Sequence, residues 1–209
     1  MHLNPARFNA HLDKIGQTFT WRKANACPCK NAQSGAANPK CPHCGGVGQI
    51  WSLSVRARAG VAGQKTQLQW AQSGQYENGD VVLTIQESSP LYALGQFDRV
   101  VMLNSSDPFS LPVMPGQNRI YGPILTIDRV FWIDADSAIA EGEIPSFSSD
   151  GVLTWESGAP PASAQYTVNG TRLSEYFCWG AFTSDRAMHH GARLPRKVVL
   201  RKFDLFGRG

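Results

Sequence analysis

The chain has 209 residues, 42% of them apolar, with ten Phe, six Trp and a formal net charge of +4. That length supports a hydrophobic core in one domain with an appendage, or in two small domains. Charged residues, at 17%, fall below the roughly 25% of ordinary soluble domains, as in a subunit that covers much of its surface in an assembly.

The N-terminal MHLNPARFNAHLDKIG has no basic-then-apolar leader pattern, and no apolar run reaches the ~18 residues that a membrane-spanning helix needs. The expectation is a product of a reducing cytosol, without membrane contact, whose five cysteines are metal ligands or free thiols in place of disulfides. In the same segment Asn4 and Pro5 read as a cap and a first helical position. Phe8, Leu12 and Ile15 follow at helical spacing, and Gly16 closes a helix of about three turns. A helix so short must dock on something.

Residues 21–48 form a cysteine, proline and glycine module. Cys27-Pro-Cys29 and Cys41-Pro-His-Cys44-Gly-Gly-Val-Gly are two close pairs separated by eleven residues. Tetrahedral zinc takes four soft ligands, and closely spaced pairs let the backbone turn around the ion. Pro28 and Pro42 stiffen the turns, while Gly45, Gly46 and Gly48 let the chain bend back towards the thiolates. The predicted ligands are Cys27, Cys29, Cys41 and Cys44, and the predicted cofactor is structural Zn2+. Reduced structural thiols, a disulfide pair or an iron–sulfur centre are the other readings of the same pairs. His43 sits inside the second pair and is expected to face solvent.

From Ile50 onward the pattern alternates as strands do. IWSLSVRARAGV, GDVVLTIQ, FDRVVML, GPILTIDRVFWID, GVLTWES, AQYTVNG, EYFCWGAF and RKVVLRKFDLF are candidate strands. Asn78-Gly79, Pro115-Gly116, Asp150-Gly151, Gly158 and Asn169-Gly170 supply turns between them. The stretch 104–122, rich in Pro and Ser, reads as a long loop. Many short strands without intervening helices predict a mainly β fold: an antiparallel β-sandwich or barrel with a short N-terminal helix and a small zinc-binding module. The expected segments are 1–49 (helix and knuckle), 50–185 (body) and 186–209 (basic C-terminal strand or arm).

Charge is unevenly spread. Residues 1–65 carry nine Lys/Arg against Asp13 alone, residues 66–156 three against twelve acids, and residues 186–209 seven against Asp204 alone. Solvated surface of either sign explains this, and so does a ring in which identical subunits meet basic face to acidic face. The C-terminal run places Arg196, Lys197, Arg201 and Lys202 among Val198, Val199, Leu200, Phe203, Leu205 and Phe206. It could touch phosphates, form a charged edge strand, or dock on a neighbouring subunit through Phe203, Leu205 and Phe206, the reading preferred here.

Other chemistry is thinly supported. Asp185, His189 and His190 share a loop with no further ligand at a recognisable spacing. Cys178, between Phe177 and Trp179, reads as a buried thiol in the absence of an orienting histidine. Asp134, Asp136, Glu141 and Glu143 lack the spacing of a calcium loop. No phosphate-binding glycine loop, nucleophile elbow or zinc-protease helix motif is present in the sequence, and the expectation is a non-enzymatic protein.

The segment CPCK…NPKCPHCGGVGQIW with the β-rich region after it, and the late run AQYTVNGTRLSEYFCW leading to LPRKVVLRKFDLFGR, resemble neck-type proteins of tailed bacteriophages. These are collar, head-closure or head–tail connector proteins. The resemblance covers the two ends, about a third of the chain. It implies a virion location, assembled in the host cytoplasm, and a ring-shaped homo-oligomer touching portal or adaptor and tail proteins. It implies too that DNA passes through without specific binding and that no catalysis occurs. The four cysteines are the residues it carries over. The acidic middle region is then a candidate lining for the DNA channel. Another virion role such as tail terminator, and a zinc-ribbon nucleic-acid-binding module, are the competing expectations.

Overall fold

The computed structural model of the chain describes residues 5–63, 72, 79–181, 188–189 and 191–203. Helix α1 (Pro5–Ile15) leads into β1 (Gln17–Arg22), β2 (Ala24–Ala26), β3 (Gln49–Trp51), β4 (Val55–Val61) and β5 (Val81–Ile85). A 3-10 turn at Pro90–Ala93 precedes β6 (Arg99–Val113), β7 (Ile124–Ile133), β8 (Ile139–Glu141), β9 (Ser146–Phe147) and β10 (Leu153–Thr154). The chain then follows β11 (Tyr166–Ala181), β12 (Met188–His189), β13 (Ala192–Arg193) and β14 (Arg196–Lys202).

The mainly β expectation holds, and of the two architectures it left open the chain takes the barrel. Strands β14, β5, β4, β1, β6 and β11 are neighbours in that order, and β14 returns to pair with β11, closing six antiparallel strands on themselves. Closure removes the edges at which an open sheet would attract other strands. The interior is read off by alternation: Phe19 on β1, Ala57 and Ala59 on β4, Leu83 and Ile85 on β5, Val100 and Met102 on β6, Tyr176 and Cys178 on β11, and Val198 and Leu200 on β14 are buried in one cluster. Leu91 and Leu94, in and just after the 3-10 turn, complete it. Small Ala57 and Ala59 face bulky Phe19 and its neighbours, as a narrow barrel requires.

The chain divides into two compact units, Met1–Asn104 with Glu175–Gly209, and Ser105–Ser174. These differ from the expected segments 1–49, 50–185 and 186–209. The knuckle and the C-terminal run belong to the first unit with the barrel, and the middle of the expected body is a unit of its own. The long strands β6 and β11 each supply one half to each unit. The second unit has its own core of Phe109, Val113, Ile120, Ile127, Val130, Leu153, Tyr166 and Val168. Its strands run in the order β6, β11, β7, β8.

Three local expectations are corrected. The stretch 104–122 is not loop throughout, because β6 runs on to Val113. In its second half Phe109 and Val113 are buried and Pro108 and Pro112 exposed. The two prolines share strand parity, so their missing donors fall on one edge of the strand. Second, Asn169-Gly170 is not a hairpin turn but a bulge inside β11, where the register with β7 shifts. A side chain at 170 would lie 2.1 Å from the Thr126 carbonyl oxygen, so the glycine serves close strand approach. Third, α1 forms over Pro5–Ile15, yet of its apolar residues Leu12 is buried while Phe8 and Ile15 are exposed. Leu12 docks on the bare backbone of Gly60, where a Cβ would come within 2.6 Å of its methyl. Asn4, the expected cap, lies outside the described residues.

Candidate metal centre

The knuckle is a loop closed at its base. Strands β2 and β3 pair antiparallel, Ala24 opposite Trp51 and Ala26 opposite Gln49, and the Cys27 amide donates to the Gly48 carbonyl at 2.9 Å. Each cysteine pair then sits on its own tight turn. Lys30 N–H donates to the Cys27 carbonyl at 3.0 Å, Gly45 N–H to the Cys41 carbonyl at 2.9 Å and Val47 N–H to the Cys44 carbonyl at 3.1 Å. Gly46 is required twice over: its φ is +85°, and an added Cβ would press on the Pro39 carbonyl oxygen at 3.0 Å. The eleven residues between the pairs are held by polar turns. Asn31 Oδ1 accepts from the Gln33 and Ser34 amides, and Asn38 Oδ1 from the Lys40 amide.

These turns bring all four sulfurs together. The Sγ atoms of Cys27, Cys29, Cys41 and Cys44 lie within 4.8 Å of one another, with Cys27–Cys41 at 3.8 Å and Cys29–Cys44 at 3.5 Å. Zinc–thiolate bonds of ~2.3 Å in a tetrahedron put sulfurs roughly 3.8 Å apart, so the cluster has the size of a metal site and is too open for S–S bonds. All four are free cysteines. Cys27, Cys41 and Cys44 are buried, with Cys29 and Ile50 packed against them. The module's core is therefore its thiols. Gly48 N–H donates to Cys44 Sγ at 3.3 Å.

Cys41 and Cys29 are shifted in opposite directions. Amide donation from Cys44, then from His43, pulls Cys41 down to about 6. The Asn38 amide acts the same way on Cys29, but burial and the hydrogen bonds with the other three sulfurs outweigh it and push that thiol up to about 12. One sulfur ionises readily and the last resists, because each thiolate makes the next costlier. A divalent cation at the centre reverses that cost for all four. His43 is exposed, as expected, and takes no part in the cluster.

The module is fastened to the barrel by contacts that sequence reading did not find. Asp98, 1% exposed, accepts from Trp21 Nε1 at 2.8 Å, from the Ala24 amide at 2.7 Å and from the Gly95 amide at 2.9 Å. One carboxylate thus ties β1, the start of the knuckle and the turn before β6. Trp51, the last residue of β3, donates from Nε1 to the Phe97 carbonyl at 3.1 Å. The Arg99 guanidinium lies 4.9 Å from the Trp51 ring and 4.0 Å from the Phe203 ring, with Glu175 at 2.5 Å.

The remaining candidates fall as follows. Arg196 donates to the Tyr92 carbonyl at 2.8 Å and Lys197 is exposed. Arg201 lies 3.6 Å from buried Asp80, with its guanidinium 4.3 Å from the Trp179 ring. Lys202 pairs in register with Tyr176, and Phe203 stacks edge-on against Trp51 at 6.5 Å. Strand β14 is bonded on both sides, to β5 and β11, so through Lys202 the run is barrel wall, neither edge strand nor free arm. Leu205 and Phe206 lie outside the described residues, as do Asp185 and His190. Cys178 is a fully buried barrel-core residue. Asp134 Oδ1 accepts from the Asp136 and Ala138 amides, Glu141 pairs with Arg129 at 2.8 Å, and Glu143 accepts from the Ser157 hydroxyl at 2.6 Å. Among the described residues, the four cysteines are the one group of three or more His, Cys, Asp or Glu placed to share a metal ion.

The chain is thus a small β-barrel protein carrying a four-cysteine cluster of metal-site geometry. No protein-family model matches its sequence, and no curated protein matches it. No helix among the described residues is long and apolar enough to cross a membrane.

Proposed function

We propose that the chain is a non-enzymatic structural subunit of a tailed-phage virion, a ring-forming component of the neck, and that Cys27, Cys29, Cys41 and Cys44 hold a structural Zn2+. The observation that carries the structural role is the closed sulfur set. Four protein thiolates fill a tetrahedral ion, leave no position for water or substrate, and so act on folding, not on chemistry. The knuckle is built onto the barrel through Asp98, Trp51 and Arg99, where such an ion braces one wall of the body. The neck assignment draws on the resemblance of the cysteine segment and of the C-terminal run, with portal or adaptor and tail proteins as partners and DNA passing without specific binding.

Elemental analysis of purified protein tests the first part, with one zinc per chain expected; metal-free folded protein, or an iron chromophore, overturns it. Mass spectrometry of purified virions tests the second, and absence of the chain from particles overturns it. A zinc-ribbon module that binds nucleic acid is the second reading, favoured by the first unit's excess of Lys/Arg. It requires duplex DNA affinity that falls steeply with salt, with a log–log slope near the number of phosphates neutralised. The neck reading requires weak binding of that kind or none.

A further inference from the structure

The two units carry opposite charge. Met1–Asn104 with Glu175–Gly209 holds seventeen Lys/Arg against eight Asp/Glu, formally +9, and Ser105–Ser174 holds three against eight, formally −5. Each unit also displays apolar side chains that its own core does not use. Among the described residues the three most exposed large ones are Leu53 at 92%, Ile139 at 69% and Ile133 at 68%. Leu53 belongs to the basic unit and the two isoleucines to the acidic one.

Their settings are built. Ile133 and Ile139 are cross-strand partners at the end of the β7–β8 hairpin. The tip between them is fixed by the Asp134 carboxylate on the Asp136 and Ala138 amides, which holds Ser137 at a φ of +62°. An apolar pair with Asp134 and Asp136 beside it is therefore presented on a rigid hairpin. Leu53 lies on the turn between β3 and β4. The Lys23 amide donates to Ser52 Oγ, and the Ser52 amide to the Lys23 carbonyl, each at 3.0 Å. These bonds place exposed Lys23 across from Ser52, next in the chain to Leu53, and Trp21 pairs with Val55 on β4.

We infer that the β7–β8 hairpin of one copy docks on the Leu53 turn of a second copy, isoleucines against Leu53 and Val55, and Asp134 and Asp136 against Lys23. Charge selects this pairing. Two hairpins meeting each other would set acidic units together, and two Leu53 turns basic ones, whereas hairpin on turn joins opposite signs. Such a contact is heterologous: each copy uses one surface as donor and the other as acceptor, so the chain of contacts closes into a ring or runs on as a filament. This rests on the ring-subunit reading above and names the surfaces for it.

Sedimentation velocity of the full zinc-loaded chain over a wide concentration range is the test. Wild-type protein should associate, and less so as salt is raised. Leu53→Asp and Ile139→Asp should each weaken self-association by about tenfold or more. Both positions are exposed, so unchanged near-ultraviolet circular dichroism and zinc content serve as the folding control. Mixed one to one, the two variants should recover a heterodimer and nothing larger, because each retains the surface the other lacks. If both variants assemble as wild type does, the docking surfaces are wrong while the ring reading stands. If Leu53→Asp still dimerises and Ile139→Asp does not, the contact is hairpin on hairpin and the inference fails. A mixture that stays monomeric overturns it as well. A wild-type chain that is monomeric at every concentration overturns both the inference and the ring.

Discussion

The knuckle and the barrel lie in one compact unit but cohere for different reasons. In the barrel, alternate residues of six strands bury Phe19, Leu83, Ile85, Val100, Val198 and Leu200, and the area removed from water drives folding. In the knuckle three buried cysteines stand where such side chains would be, with Ile50 the one aliphatic packed on them. Its backbone is satisfied by asparagine-anchored turns that stay polar and exposed. A segment of that kind has no hydrophobic reason to fold. Its order must come from the sulfur cluster and from the barrel beneath it.

The sharpest way to break the comparison is to remove a thiol. Structural zinc in finger-type peptides binds with about 10–16 kcal/mol apparent free energy, more than any single side chain supplies. Cys44→Ser should abolish zinc retention and strip hydrogen-exchange protection from the Cys27 and Gly48 amides, while amides of β5 and β14 stay protected. Loss of protection throughout would mean that the barrel has no independent stability. Acidification should act in the same direction. Cys41, held down to about 6 by neighbouring amides, contributes stability that is fully present above its unfolded value of 9.0 and is lost as pH falls through about 6. Cys29, pushed up to about 12, contributes with the opposite sign, from its neutral form, and that part disappears as pH rises from 9.0 towards 12. Zinc release, followed with a chromogenic chelator, should increase as pH falls, because protons compete with the ion for each thiolate. Retention that does not depend on pH would argue against thiolate ligation.

Phe19→Ala probes the other region. Emptying a fully buried aromatic site costs about 3–5 kcal/mol, read from the denaturant midpoint, and zinc content of the protein that remains folded should not change. Asp98→Ala comes next. It orphans the Trp21 indole and the Ala24 and Gly95 amides, for a cost of about 3 kcal/mol, at the low end of ~1–3 for each of three groups because the bonds are only partly buried. Because Ala24 begins the knuckle, this substitution should also speed zinc transfer to a competing chelator. An unchanged transfer rate would show that the Asp98 tie does not reach the metal.

The two regions were also unequally legible. The cysteines could be read directly, since spacing and the Pro and Gly between them encode a local turn, and local geometry is what sequence reports best. The barrel strands were legible as alternation, and the parity that begins at Trp51 carries into buried Ala57 and Ala59, although Leu53 is left on an exposed turn. Closure was not legible, because it depends on β14 meeting β11, a pairing no local pattern encodes. Pro108, Pro112 and Asn169-Gly170 misled for a related reason. Each is a breaker in isolation and becomes acceptable in a strand only through its neighbours, as the close Thr126 backbone shows for Gly170. The opposite charges of the two units were partly visible as basic ends around an acidic middle, though the true division at residues 104 and 175 cuts through β6 and β11.

The finest distinction concerns how the two regions are joined on the Arg99 side. Trp51 ends β3 of the knuckle, Arg99 begins β6 of the barrel, and Phe203 follows β14; the guanidinium lies over both rings with Glu175 as its counter-ion. Cation–π contacts contribute about 0.5–1 kcal/mol when exposed and ~2 when desolvated. Arg99 is partly covered, so a double-mutant cycle of Arg99→Met and Trp51→Leu should give a coupling of about 1 kcal/mol. Methionine preserves much of the stem packing, so the cycle isolates the charge–ring term from simple burial. If the coupling appears in zinc-loaded protein and vanishes after chelation, the ion fixes Trp51 in place and the knuckle braces the barrel. Equal coupling in both states would mean that the barrel holds Trp51 by itself, and that the metal orders only the loop beyond β2 and β3.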